Sequence, residues 1–314
     1  MDEIGARELR ADYSTEKARR DLKFVQPEKF VLGWYIIWLM PELPEVETIA
    51  RELREGSRER GPSLVGKTIT KVTVKWPRHI ATPSPAEFRR RLPGQTIEAL
   101  ARRGKYLVFQ LTRDVMLIHL KMSGDLTFVN HAERRAPDKH AHTIFHLGDG
   151  GDLRFSDTRK FGKVFLVRRA EDVTGKLGPE PLEPDFTSAK LRDMLAARHR
   201  ALKPLLLDQA FIAGMGNIYT DEALHLAGLH PLRRSDSLTP PEARALWRSI
   251  RRALRAGLRH GGASVDWVYR GGNFQNHFRV YQRAGEPCFN CGTPIRRIVV
   301  GQRGTHFCPK CQRI

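Results

Sequence analysis

From residue 43 the chain runs as apolar positions at helical spacing, then alternates with period two, then returns to helical spacing. Val46, Ile49, Ala50 and Leu53 recur on one face of "LPEVETIARELREG". Pro44 suits the first helical position, the nearby acids suit the positive end of the helix dipole, and Gly56 can close the helix. "TITKVTVKW" then puts Val72, Val74 and Trp76 on one face of a strand. "KYLVFQL" and "VMLIHLKMSGDLTFV" follow, the latter with a turn at Ser123–Gly124. "HTIFHLGDGGDLRFSDTRKFGKVFLV" reads as a hairpin around Gly148 to Gly151. Several short strands plus one helix predict a β-sandwich or barrel.

The texture changes at "GKLGPEPLEPDF", residues 175–186, whose Pro and Gly content reads as a linker. Helices are predicted beyond it at "SAKLRDMLAAR", "ALKPLLLDQAF", "IYTDEALHLAGL" and "PEARALWRSIRRALRAGLRHG", before short strands near the C-terminus. The fold class is therefore α+β. A helix and β-sandwich occupy 41–174, a helical domain 187–284 and a small terminal module 285–314, with an extension at 1–40.

The terminal module is set by cysteine. All four cysteines lie there: Cys288, Cys291, Cys308 and Cys311 form C-x2-C, sixteen residues, C-x2-C. Each pair can sit on a tight turn and give two thiolates to one zinc ion. Four sulfur ligands leave no open position, so the zinc is structural and frames a hairpin carrying Arg296, Arg297 and Arg303. A disulfide-bonded secreted protein would spread its cysteines, so the clustering favours a reducing cytoplasm.

Charge narrows the partner. Fifty-four Lys and Arg against 35 Asp and Glu give +19, which favours a polyanion and above all nucleic acid. Residues 1–40 hold seven bases and seven acids, so the whole excess lies from Pro41 onward. The longest apolar run, Phe30 to Leu39, is too short to cross a bilayer, and no membrane role is expected.

Several strings in this order, "PELPEVET", "RRGKYL", "HLKMSG", "DTRKFG", "LGPEPL", "GMGNIYTDEAL" and "GEPCFNCGTPI", resemble the bacterial formamidopyrimidine-DNA glycosylases of the helix–two-turn–helix superfamily. The resemblance covers Pro41 to the C-terminus. It implies a β-sandwich catalytic domain with an N-terminal helix, a helix–two-turn–helix DNA-binding domain and a zinc finger. It also implies a monomeric, nucleoid-associated base-excision repair enzyme that removes oxidised bases from double-stranded DNA and cleaves abasic sites.

Site residues follow from the matched strings. Pro41 would be the nucleophile, its secondary amine forming a Schiff base at C1′, and Glu42 the general acid–base that opens the sugar ring. Glu42 lies ahead of Pro44 and is expected to be free of the helix-end role, which falls to Glu45 and Glu47. Lys105 matches the lysine of β-elimination and Arg303 the arginine of δ-elimination. Asn217, His140, Arg159 and Arg198 match DNA-backbone contacts, and Lys203 a lysine near the base or its phosphate. Met122, Arg159 and Phe161 match the wedge that fills the space of an extruded base. Between Gly262 and "VYQR" the stretch "ASVDWVYRGGNFQNHFR" is shorter than in many members, which puts a preference for 8-oxoguanine in doubt.

Two other readings compete. One is a zinc-stabilised damaged-DNA-binding protein without catalysis, and the other a translation-associated basic protein, for which "PELPEVET" has no role. A proline inside a chain has an amide nitrogen and cannot act as a nucleophile. The working protein is therefore expected to begin at Pro41, Met40 being removable, with residues 1–39 poorly packed.

Overall fold

A computed structural model of the chain describes residues 40–130, 138–264 and 271–314. The expectation for residues 1–39 lies outside the described residues, as does the middle of the shortened stretch after Gly262.

Helix α1 (Leu43–Glu55) forms where the sequence predicts it. It starts one residue ahead of Pro44, because the Leu43 N–H is already held outside the helix by the Gly214 carbonyl at 3.0 Å. Gly56, at φ 86°, returns its N–H to the Glu52 carbonyl at 2.9 Å and ends the helix. Val46, Ile49, Ala50 and Leu53 are all buried, as their spacing predicts.

The strands are β1 (Thr68–Val74), β2 (Ile80–Thr82), β3 (Gln95–Arg103), β4 (Tyr106–Leu111), β5 (Val115–His119), β6 (Gly124–Asn130), β7 (Ala141–Leu147), β8 (Gly151–Asp157) and β9 (Lys163–Val167). Their order is β2-β9-β5-β4-β3-β1-β7-β8-β6, antiparallel except for β2 beside β9. β1 and β3 share only the pairs Thr68–Thr96 and Ile69–Gln95. The sheet thus divides there into two layers, which enclose one core. Phe109 and Ile118 from one layer, Phe145 and Phe155 from the other, and Ile49 and Leu53 of α1 all belong to it. This is the predicted sandwich. The sequence reading missed β3 because a register shift between Ile97 and Ala99 breaks its alternation. It also missed α2 (Pro85–Arg91), which Ser84 caps by accepting from the Glu87 N–H at 3.2 Å.

The second half contains α3 (Glu171–Thr174), α4 (Ser188–Ala196), α5 (Leu202–Leu206), α6 (Asn217–Ala227) and α7 (Pro240–Arg259). α5 is shorter than "ALKPLLLDQAF" suggests. The Asp208 carboxylate accepts from the Ala210 N–H at 3.0 Å, and this local turn displaces a further helical turn. α6 ends at Gly228, which is left-handed at φ 69°. The strands β10 (Arg296–Val300) and β11 (Arg303–Phe307) form the terminal hairpin. Among the described residues no helix is long and apolar enough to cross a membrane.

Residues 175–186, the stretch read as a linker, carry no helix or strand and clasp the two halves together. Trp247 Nε1 donates to the Phe186 carbonyl at 2.6 Å, and Arg251 donates to the carbonyls of Pro181, Leu182 and Glu183. On the other side Glu180 accepts from Arg102 at 2.8 Å, Arg103 at 2.9 Å and the Gly104 N–H at 2.6 Å. Helix α1 bridges the halves as well. Leu43 belongs to the helical core, whereas Val46 to Leu53 belong to the sandwich core.

Candidate active site and DNA-facing groups

Glu42 caps α1 with its backbone and holds α6 with its side chain. Its N–H donates to Glu45 Oε2 at 2.9 Å, and its carboxylate accepts from Ile218 N at 2.9 Å and Tyr219 N at 3.3 Å. The expectation that Glu42 is free of a helix-end role is corrected, since it occupies the positive end of α6. Only 2% of it is exposed. Burial is the largest influence and pushes its carboxyl up to about 7, against the lowering pull of Lys105 and the two amides.

Glu45 does more than favour a helix end. Its carboxylate accepts from the Tyr219 hydroxyl at 2.7 Å and the Ala263 N–H at 2.7 Å, and burial raises its pKa despite those bonds. Glu47, by contrast, stays near the surface and pairs with Arg102 at 2.9 Å. The glycines of "GMGN" leave room for this arrangement. A Cβ on Gly214 would lie 2.8 Å from Leu43, and one on Gly216 would lie 2.2 Å from the Glu42 Cδ.

Lys105 sits in the turn between β3 and β4, directly after the Gly104 that Glu180 grips. It is buried. Desolvation lowers its pKa, while Glu42 and Glu45 pull it up and Arg303 and Lys121 press it down. Lys105 of the sandwich thus feels the charges of both Glu42, ahead of α1, and Arg303 of the zinc hairpin. Pro41 is half-buried beside Glu42.

Lys203 rests inside the protein: its ammonium is fully buried, bonded to Asp221 Oδ1 at 2.5 Å and the Asn217 carbonyl at 3.2 Å. Asp221 also accepts from the His306 N–H of β11 at 2.8 Å. Asn217 likewise spends its amide inside the protein, donating to the Gly304 carbonyl at 3.0 Å and the Tyr281 hydroxyl at 3.4 Å. Asn217 and Asp221 thereby anchor the zinc hairpin on α6, with Lys203 bonded to Asp221 behind them, a role that the sequence does not announce. Asp221 was missed altogether, because its partners lie 18 and 85 residues away.

Met122, Arg159 and Phe161 do meet. Arg159 Nη1 donates to Met122 Sδ at 3.3 Å, and its guanidinium stands 5.0 Å from the Phe161 ring centre. Phe161 is 50% exposed, unlike a core residue. Asp157 ties the two loops, accepting from Ser123 Oγ, from Arg159 N at 3.2 Å and from Gly162 N at 2.6 Å. Burial works to raise its pKa, but these bonds and His79 outweigh it and hold the carboxyl at about 2. His140 lines the neighbouring cleft of about 470 Å³ with Ser123 and Asp157. Arg198 is exposed after α4, and its guanidinium donates to the adjacent Ala197 carbonyl at 3.2 Å.

The four cysteine sulfurs lie within 4.8 Å of one another. The pairs Cys291–Cys308, Cys291–Cys311 and Cys288–Cys311 stand at 3.5, 3.4 and 4.0 Å. A tetrahedral zinc with Zn–S of about 2.3 Å requires sulfurs about 3.8 Å apart. The set therefore fits one closed, structural zinc ion.

Three family models match successive parts of the chain. Residues 40–164 match the formamidopyrimidine-DNA glycosylase N-terminal domain, 177–268 its H2TH domain, and 285–314 a zinc finger found in FPG and IleRS. The formamidopyrimidine-DNA glycosylase of Symbiobacterium thermophilum is 45% identical over 284 residues, 88% of this chain and 90% of that protein. That of Bacillus subtilis is 45% identical over 283 residues, 87% and 99%. The Lactococcus lactis Fpg solved with abasic-site DNA has a TM-score of 0.79 at 36% identity, over 87% of this chain and 100% of its own. A variant of that enzyme solved with Fapy-dG-containing DNA has a TM-score of 0.80 at the same identity and coverage. With the Glu42 site, the sandwich and the zinc hairpin in place, the chain belongs to the formamidopyrimidine-DNA glycosylase family.

Proposed function

We propose that the protein is a DNA glycosylase and abasic-site lyase that removes oxidised bases, formamidopyrimidines foremost, from double-stranded DNA inside the cell. The observation that carries this reading is the Glu42 carboxyl. It follows Pro41 directly, is buried, and is held near neutrality with the Lys105 ammonium beside it. A carboxyl poised near 7 can give and retake a proton at working pH.

The chemistry runs through the chain's own groups. The Pro41 amine attacks C1′ as the damaged base departs with the C1′–N bonding pair, and the amine proton passes to the departing base. Glu42 protonates the ring oxygen as the C1′–O4′ bond breaks, leaving an iminium ion. Its positive charge accepts the electrons freed when a proton leaves C2′, and the 3′ phosphate departs with the C3′–O pair. A second elimination then releases the 5′ phosphate. Lys105 moves the proton, and Arg303 balances charge on the departing phosphates. Met122, Arg159 and Phe161 fill the gap in the stack, with His140 lining the cleft beside them.

This chemistry needs a free amine at Pro41, whereas in the full chain its nitrogen is an amide. The working form is therefore one that begins at Pro41. In support, the family match starts at residue 40, and 87% of this chain spans 99% of the Bacillus subtilis relative. The alternative, a damaged-DNA-binding protein without catalysis, applies to the form that keeps residues 1–40. The shortened stretch after Gly262 supports an activity on 8-oxoguanine that is weaker, relative to abasic-site cleavage, than in a relative with a longer stretch there.

Borohydride trapping on a lesion-containing duplex tests the proposal. Protein starting at Pro41 should form a covalent adduct and protein carrying residues 1–40 should not. Absence of an adduct from both would leave the binding protein.

A further inference from the structure

Helix α7 carries six arginines and one acid, Glu242, which is taken by Arg233 at 2.6 Å. Arg251 is turned inward onto the carbonyls of residues 181–183. The other five, Arg244, Arg248, Arg252, Arg255 and Arg259, are exposed, and among the described residues none has an ion-pair partner. At about 100° per residue they fall inside an arc of roughly 80°, in a line about 22 Å long. Like charges three and four residues apart destabilise a helix, and exposed helices commonly relieve this with interleaved acids. Here that relief is missing.

The stripe faces away from the site described above. The buried face of α7, with Leu246, Ile250, Ala253 and Gly257, is centred roughly 170° from it around the helix axis. That face looks toward the carboxylates. A Cβ on Gly257 would lie 2.4 Å from the Tyr219 hydroxyl, which itself donates to Glu45 at 2.7 Å. Grooves flank the stripe. One of about 280 Å³ runs along Trp247, Arg248 and Arg255. Another of about 230 Å³ lies between Arg259, Arg279 and His277.

We propose that the outer face of α7 is a second DNA-binding surface, which holds the backbone of a duplex segment other than the one in the active-site cleft. Charge complementarity selects the partner. A continuous row of guanidiniums without exposed apolar anchors suits evenly spaced phosphates read without regard to sequence. A helix lying on a lipid surface would need a free apolar face beside the basic one, and the apolar face of α7 is spent in the core. Holding two segments lets the protein pass between them without release into solution.

The test uses the full chain saturated with a short duplex carrying an uncleavable abasic analogue. A fluorescent undamaged duplex is added, and the ternary complex is read by native mass and anisotropy. Binding of the second duplex should fall with salt at a log–log slope of about −3 to −4, for about four phosphates. The combined variant R248Q/R252Q/R255Q/R259Q should weaken it at least tenfold and leave affinity for the first duplex unchanged. Gln keeps the helix propensity of these positions. The matching Arg→Lys variant should retain most of the binding. No ternary complex, or one indifferent to the Gln variant, overturns the proposal. So does binding of the stripe to anionic phosphatidylserine vesicles but not to the second duplex.

Discussion

Gly216 lies so close to Glu42 that a single added methyl at its Cα would stand 2.2 Å from the carboxylate carbon. Gly216→Ala should therefore push the carboxyl off the α6 amides. Base excision is expected to fall about 100-fold, the scale of an ångström misplacement at a reacting centre. Single-turnover rates on a formamidopyrimidine duplex check this, and wild-type rates would contradict it.

The raised pKa of Glu42 sets a pH signature. Between pH 4.5 and about 7 the folded protein keeps this proton while the unfolded chain loses it. Its contribution to stability therefore falls as pH rises through that window. Glu42→Gln should gain on wild type as pH rises, by up to about 3 kcal/mol at pH 8, while losing base excision. Denaturant titrations at several pH values measure the first, and single-turnover assays the second.

Zinc and Asn217 hold the hairpin by different means. Cys308→Ser should lose the metal and DNA affinity together. Asn217→Ala should keep one zinc per chain, read with a chromophoric chelator, yet weaken DNA binding about tenfold as the Gly304 tie is lost. Normal affinity in the cysteine variant would separate the hairpin from DNA binding.

Asp221→Asn would leave the Lys203 ammonium buried without its counter-charge and is expected to cost about 3–5 kcal/mol in chemical unfolding. Adding Lys203→Met should recover part of that loss. Arg198→Ala should change stability by no more than about 0.5 kcal/mol.

What the sequence made legible was whatever is written locally. The α1 start, the alternation in β1 and β4, and the cysteine spacing each depend on residues a few positions apart. The site depended on contacts that periodicity does not encode. Glu45 reads as a helix-end acid, but its partner Ala263 stands 218 residues on. Lys203 could be named only through the resemblance, and nothing near it in the chain announces its partner Asp221. The stretch 175–186 reads as a linker from its Pro and Gly, which report conformation and not whether Glu180 finds two arginines. Met122, Arg159 and Phe161 could be named as a candidate wedge only through the resemblance; their meeting follows from the loops that Asp157 joins.

The Glu180 clasp and the two-core helix α1 have a mechanical consequence. With its halves riveted along this seam, the protein meets DNA as a preset jaw and has little hinge with which to adapt. The adjustment then falls on the duplex, and its compliance becomes part of what is recognised. A nick placed beside an undamaged site, which changes no base, should raise affinity, and a stiff A-tract at the same place should lower it. Lesion search on such terms is a survey of softness before it is a reading of chemistry.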